Sequence, residues 1–450
     1  MENKAVVKRT IDKDQVIYAL VFAILTLALG IFMGGKFALL AMAGAMVLPI
    51  VYKYQFLSLN LFVMAYAFLP DIVILAAEIL FFAVMVIDLK FNKKVIKANT
   101  LLIPMFLAGV FMIINSFTSL NILGSMRDLA FNFGGIFLAL MVYKEVNSKE
   151  RLNNILTSIA IGGALVGVFG LYQFVFLGTV QREWIDASLK GVITRRAYSV
   201  FMNPNIFAEY LVLVTPLVVS QFWAHRDGFK KFIYLMIAGL LLLNMMLTFS
   251  RGGMVSIAVA AMVFLFFAMR PLFVFLIPIG IFSINFLPEK IQNRIYSIFN
   301  FADSSTSYRF KMWGITKDLI RDNPMVGVGF GHKSFKQEFE LLIRSMPIFH
   351  AHNTYLEIMA EGGALGIISF LYIVIGSIVN LFKSGMKSTD KYIRTVSIGL
   401  LASIMGILTN GMTEHIVYIN RIIVMLWMVF GLTGALRNIY EDEKEKVNAN

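Results

Sequence analysis

Cysteine is absent from all 450 residues, so no disulfide, thiolate nucleophile or cysteine-held metal enters the chemistry of this chain. Charge is scarce too: 15% of residues are charged against 58% hydrophobic, more apolar surface than a soluble core can hide. Alternation over about 10 residues, the mark of a transmembrane barrel, is missing. So are a Walker loop, a Rossmann glycine pattern after a strand and a zincin His-Glu motif, which argues against a nucleotide-driven pump. Lys4, Lys8, Arg9 and Lys13 precede an apolar run over 15–33, as in a signal peptide. No small-x-small cleavage site and soluble domain follow, and the run reads as a first spanning helix.

What the sequence has in abundance is apolar runs, about fourteen of them between 15–33 and 417–436, each near the length that a hydrocarbon core about 30 Å thick demands. Pro70 separates the short run 56–69 from 71–88, which lowers the count by one or two. The expected fold is therefore all-α and polytopic: a single membrane domain over 1–450 with about 12–14 transmembrane helices. With both termini inside, the strongly basic short connections, such as Lys90–Lys97, Lys144–Arg151 and Lys383–Lys391, all fall on the cytoplasmic side. The net charge of +13 is thus explained by topology, and nucleic acid is not an expected partner.

The same alternation places three connections outside: 178–204, the turn Ser250-Arg251-Gly252, and a large loop over 288–352. Ser307–Ile320 and Lys333–Met346 read as amphipathic helices, the second with Phe335, Phe339, Leu342 and Met346 on one face, fit to lie as a lid on the outer leaflet. Between them Asn323-Pro324 and the glycine-spaced run Gly327–Gly331 break the helical pattern.

Four outer clusters carry polar chemistry. Arg195-Arg196 precedes Asn203-Pro204-Asn205 at a helix mouth, where a guanidinium fork and free N–H groups favour phosphate; a juxtamembrane pair on lipid headgroups is the plainer reading. Arg251 sits in a turn too tight to hide a charge, so it either snorkels or meets an anion. Arg309 and Trp313, at i and i+4, share a face and suit either a cation–π pair or a ligand contact. His350-Ala351-His352-Asn353 leads into a spanning helix in which Asn353, Glu357 and Glu361 recur every four residues as a polar stripe. An imidazole at a helix N-terminus is disfavoured as a cation and so is available as a base. A structural His/Arg knot is the competing reading there.

The run His352-Asn353-Thr354-Tyr355-Leu356 through Glu361-Gly362-Gly363-Ala364-Leu365-Gly366 resembles the signature of the O-antigen ligase and O-antigen polymerase (Wzy-like) superfamily. Arg196 ahead of Asn203-Pro204-Asn205, the Ser250-Arg251-Gly252 turn, and Arg309 with Trp313 before Asn323-Pro324 match in order and spacing over about residues 190–370. The resemblance implies a membrane glycosyltransferase that moves a glycan from a polyprenyl diphosphate to a glycan or glycolipid acceptor at the outer face of the cytoplasmic membrane. It also implies Arg196 and Arg251 as grips on the diphosphate, Arg309 as a third contact and His352 as general base. The doubled Arg195-Arg196 leaves the matching arginine open by one position, and His350 competes with His352.

The residues agree with that chemistry. Arginines can neutralise a departing diphosphate without metal, and the outer loops offer no Asp-x-Asp pair to hold Mg²⁺ or Mn²⁺. No cofactor or metal is therefore expected, and direct attack by the acceptor would invert the anomeric centre. A repeat-unit polymerase is the leading reading and a ligase onto a final acceptor the alternative. From another class, a transporter or flippase for anionic lipids would need gapped helices in both halves and charges at the midplane, which the pattern lacks.

Overall fold

The structure is a computed structural model that describes residues 35–92, 101–177, 195–299, 304–343 and 350–449. The apolar run 15–33, most of the 178–204 connection and Met346 lie outside them. In chain order the helices are α1 (Gly35–Lys53), α2 (Gln55–Ala65), α3 (Asp71–Asn92), α4 (Leu102–Phe117), α5 (Ile122–Glu145), α6 (Lys149–Tyr172), α7 (Pro204–Ala224) and α8 (Gly228–Thr248). They continue with α9 (Arg251–Ala268), α10 (Arg270–Ser283), α11 (Glu289–Tyr296), α12 (Ser304–Asp322), α13 (His332–Leu342), α14 (Thr354–Lys383), α15 (Lys391–Asn410) and α16 (Asn420–Ala449).

Among the described residues nine helices are long and apolar enough to cross a membrane. A pair bent by 110°, Met46–Lys53 with Gln55–Phe68, is a broken span or a re-entrant loop, and Leu102–Phe117 and Phe273–Phe286 are shorter apolar helices. The chain is thus an all-α, multi-pass membrane protein. Short polar side chains start its helices where the sequence changes from loop to apolar run. Ser148 accepts from Arg151 N, Asn203 from Asn205 N and Ile206 N ahead of Pro204, and Asp390 from Tyr392 N and Ile393 N. Each cap satisfies orphan N–H groups and contributes about 1 kcal/mol.

Helices that are apolar all round belong in the middle. In α7, α15 and α16 the apolar windows are 83%, 78% and 89% buried, whereas α8 and α9 bury only 33% and turn most of their surface to lipid. α15 packs between α7 and α9, and α16 against α5. Because α7, α9, α14 and α16 begin at the same end of the bundle where α8 and α15 finish, their termini form one polar floor.

Over that floor sits a second, smaller core. Phe335 and Phe339 of α13 pack with Met312 and Leu319 of α12, Val328, Ala351 and Ala360. Both amphipathic helices are therefore present, but their apolar faces close on protein. Leu342, expected on the same face, is exposed.

The Gly362-Gly363 run does not simply continue its helix. α14 breaks at Gly363, whose φ is +57° and ψ −157°, a conformation that only glycine adopts at little cost. The break frees backbone groups, and the 324–329 segment satisfies them. Val328 N and Gly329 N donate to Ala360 O and Glu361 O, while Ala364 N and Leu365 N donate to Pro324 O and Met325 O. Gly327 (φ +68°) permits the approach, since a Cβ there would stand 2.4 Å from the Glu361 carbonyl. Each unmade bond would cost about 1–3 kcal/mol, so the glycine run and the Glu-Gly-Gly run specify one another.

Candidate functional site

The N-cap of α14 fixes the centre of the site. Asn353 Oδ1 accepts from Tyr355 N and Leu356 N, both at 3.0 Å, which leaves His352 just outside the helix with φ +50°. A non-glycine residue in that region costs on the order of 1 kcal/mol and must be held by its surroundings. Here the α15–α16 turn holds it. Thr354 N donates to Gly411 O at 2.7 Å, Thr354 Oγ1 donates to Glu414 O at 2.8 Å, and Ile416 N donates to Thr354 Oγ1 at 3.0 Å.

That docking brings Glu414, a residue the motifs did not single out, against the histidine. Glu414 Oε2 lies 2.8 Å from His352 Nδ1, and Glu414 Oε1 accepts from Arg309 at 2.9 Å and from Asn205 Nδ2 at 2.9 Å. Asn205 Oδ1 in turn accepts from Arg196 at 3.1 Å, and Arg196 Nε donates to Thr248 O at 2.7 Å. Burial pushes the Glu414 carboxyl up, but the His352 imidazole and the Arg309 guanidinium beside it hold it down to about 2. An ionised carboxylate on Nδ1 keeps the ring proton there and leaves Nε2 as the basic nitrogen. His352 is the open member, with 31% of its side chain exposed.

The remaining expected residues divide plainly. His350 is buried, its Nδ1 accepts from His352 N at 3.1 Å, and its ring lies 4.1 Å from that of His352. Burial, then the neighbouring His352, pushes the His350 imidazole well below its usual range. Trp313 Nε1 donates to Ala351 O at 2.9 Å, and Glu357 Oε2 accepts from Ala351 N, so the two pin the same residue from opposite sides. Glu361 is buried beneath the glycine run. Arg195 turns outward to the Val175 carbonyl at 2.9 Å, while Arg196 alone of the pair turns inward. Asn203 is a helix cap. Arg251 donates to Ser297 O at 3.2 Å, and a Cβ on the next residue, Gly252, would come within 2.5 Å of Thr413 in the Glu414 turn.

Among the described residues two groups of three side chains have the spacing to hold a metal ion: His350 with His352 and Glu414, and Glu357 with Glu361 and His415. The first is already engaged, since both Glu414 oxygens and both Nδ1 atoms accept or share hydrogen bonds. Its geometry suits proton transfer beside an anion site better than a cation.

Residues 236–371 match the O-Antigen ligase family, Wzy_C. That stretch takes in Arg251, Arg309, Trp313 and the His350–Glu361 run, so the resemblance drawn from the motifs holds there. The chain is 22% identical over 305 residues to the teichuronic acid biosynthesis protein TuaE of Bacillus subtilis (strain 168), over 64% of this chain and 62% of that protein. It therefore spans less than two thirds of that relative's length. Among solved structures, a chain from work described as structural coordination of polymerization and crosslinking by a peptidoglycan synthase complex aligns with a TM-score of 0.41. The identity is 14%, covering 75% of this chain and 97% of that one.

Proposed function

We propose that this chain is a membrane glycosyltransferase of the O-antigen ligase and polymerase type, transferring a glycan from a polyprenyl diphosphate to an acceptor hydroxyl at the outer face of the cytoplasmic membrane. The observation that carries the reading is the continuous chain His352–Glu414–Arg309/Asn205–Arg196, a partly exposed base and two guanidinium groups joined through one carboxylate. The match to the O-Antigen ligase family and the likeness to a protein of teichuronic acid biosynthesis support the substrate class.

The acceptor hydroxyl attacks the anomeric carbon as His352 Nε2 takes its proton. The bond from that carbon to the diphosphate oxygen breaks, and polyprenyl diphosphate leaves with both electrons. Arg309 and Arg196 stabilise the departing charge, with Arg251 on the rim of the same floor, and fixed guanidinium groups do so without reorganising. Glu414 holds the imidazole and stabilises the imidazolium that forms. General-base catalysis of this kind contributes about 100- to 10,000-fold. One displacement inverts the anomeric centre, and no metal acts on the diphosphate. The chain acts as a repeat-unit polymerase, with both termini cytoplasmic and 288–352 outside.

Reconstitution in liposomes with a polyprenyl-diphosphate glycan tests the proposal. Chain growth in buffer without added divalent cation supports it. Transfer to a terminal acceptor without growth would make the chain a ligase, and movement of lipid without chemistry would make it a transporter.

A further inference from the structure

Beneath the His350–Asn353 loop lies a second set of titratable side chains that the transfer chemistry leaves unused. Glu357 and Glu361 stand one turn apart on α14, and His415 follows Glu414 in the α15–α16 turn; they are 0%, 5% and 1% exposed. Backbone holds one side of each carboxylate: Ala351 N donates to Glu357 Oε2, and Gly331 N donates to Glu361. The other side does not find a donor. Glu357 Oε1, Glu361 Oε1 and His415 Nδ1 are all buried without a hydrogen-bond partner. Each of the three residues offers a donor atom within 4.8 Å of the other two.

Two buried carboxylates this close must either hold a proton or meet a cation, because an unpaired buried anion costs several kcal/mol. The neighbouring guanidinium groups are engaged elsewhere, Arg309 with Glu414 and Arg196 with Thr248 and Asn205. Donors spread over at most 4.8 Å fit around one ion with metal–ligand bonds of about 2.0–2.6 Å. An imidazole nitrogen with two carboxylate oxygens suits Zn²⁺, which takes nitrogen and oxygen ligands alike, or Mn²⁺ through its carboxylates, whereas Ca²⁺ and Mg²⁺ favour all-oxygen sets. A cavity of about 70 Å³, lined by Glu361, His415, Asp128 and His332 among others, leads to the group.

We propose that Glu357, Glu361 and His415 bind one divalent cation, Zn²⁺ or Mn²⁺, which fastens the His350–Asn353 loop, the glycine run and the α15–α16 turn to one another from below. The ion is structural, and no step of the transfer passes through it. It joins segments far apart in sequence: Ala351 through Glu357, Gly331 through Glu361, and the Glu414 turn through His415.

The test measures metal and stability, so its failure is separate from failure of the transferase reading. Full-length protein carrying a histidine-free tag is purified in detergent without chelator, its metal content is measured by inductively coupled plasma mass spectrometry, and its thermal unfolding is followed. Wild type should hold about one Zn²⁺ or Mn²⁺ per chain, lose thermal stability when a strong chelator strips it, and regain it when that ion returns. E357Q and E361Q should lack the ion and be indifferent to chelator. Metal-free wild type whose unfolding ignores Zn²⁺ and Mn²⁺ would overturn the proposal, as would an ion retained in E361Q. If neither variant folds, the two wild-type measurements decide alone.

Discussion

Glu414→Gln is the most informative single change, because it keeps shape and removes only charge and an acceptor. The amide oxygen of the substituted side chain can still accept from Arg309 and Asn205, which places its NH₂ against His352 Nδ1. Nδ1 must then be the acceptor, and the ring proton moves to Nε2, the nitrogen that has to take the hydroxyl proton. The imidazolium also loses a charge-assisted hydrogen bond of 2.8 Å. Such a bond is worth about 1.5–3 kcal/mol, which is roughly 10- to 150-fold in rate, and the wrong tautomer adds to this. Turnover should therefore fall by about 100-fold or more while donor binding stays near wild type, since Arg309 keeps its charge. The assay is transfer by purified variants with binding of a polyprenyl diphosphate measured separately. In a double-mutant cycle, E414Q added to H352A should cost little more, because the two act as a unit. Near-normal turnover in E414Q, or fully additive losses, would refute the reasoning.

Arg251→Lys keeps the charge but loses the bidentate fork, so donor affinity and turnover should each fall by roughly tenfold; an unchanged KM in steady-state assays would remove Arg251 from the diphosphate site. Gly363→Ala puts a Cβ 2.3 Å from Met325 C at φ +57°, with backbone on the far side that cannot move aside. It should lower stability by about 3 kcal/mol or more, read by thermal unfolding in detergent, and an unchanged midpoint would contradict the broken-helix account. Glu340→Cys in this cysteine-free chain should react with an impermeant maleimide on intact cells, and labelling only after the inner face is opened would reverse the topology.

Much of the fold was legible because lipid leaves little choice: long apolar runs become helices, and the caps at Ser148, Asn203 and Asp390 stand where the runs begin. The arginines and histidines of the site were legible as unusual charges at helix mouths. Which of Arg195 and Arg196 turns inward was not, because that depends on the Thr248 carbonyl, 52 residues away in sequence and a matter of packing. Glu414 went unseen since it occupies a three-residue gap between the apolar runs 394–413 and 417–436, too short to read as a loop. A carboxylate beside an imidazole, Glu414-His415, between two apolar runs was the signal available. The break at Gly363 was hidden for another reason: two glycines are tolerated inside apolar helices, and only the distant glycine run shows that the backbone opens there.

The central claim is that His352 is the base and the arginines are the anion grip, so the most direct measurement compares His352→Ala with wild type in transfer and in polyprenyl-diphosphate binding. Turnover lower by about 100-fold or more with binding retained is the predicted result, with His350→Ala milder because its Nδ1 only supports the loop through His352 N. Near-normal turnover in H352A would contradict the account and pass the role of base to His350 or to a carboxylate such as Glu357.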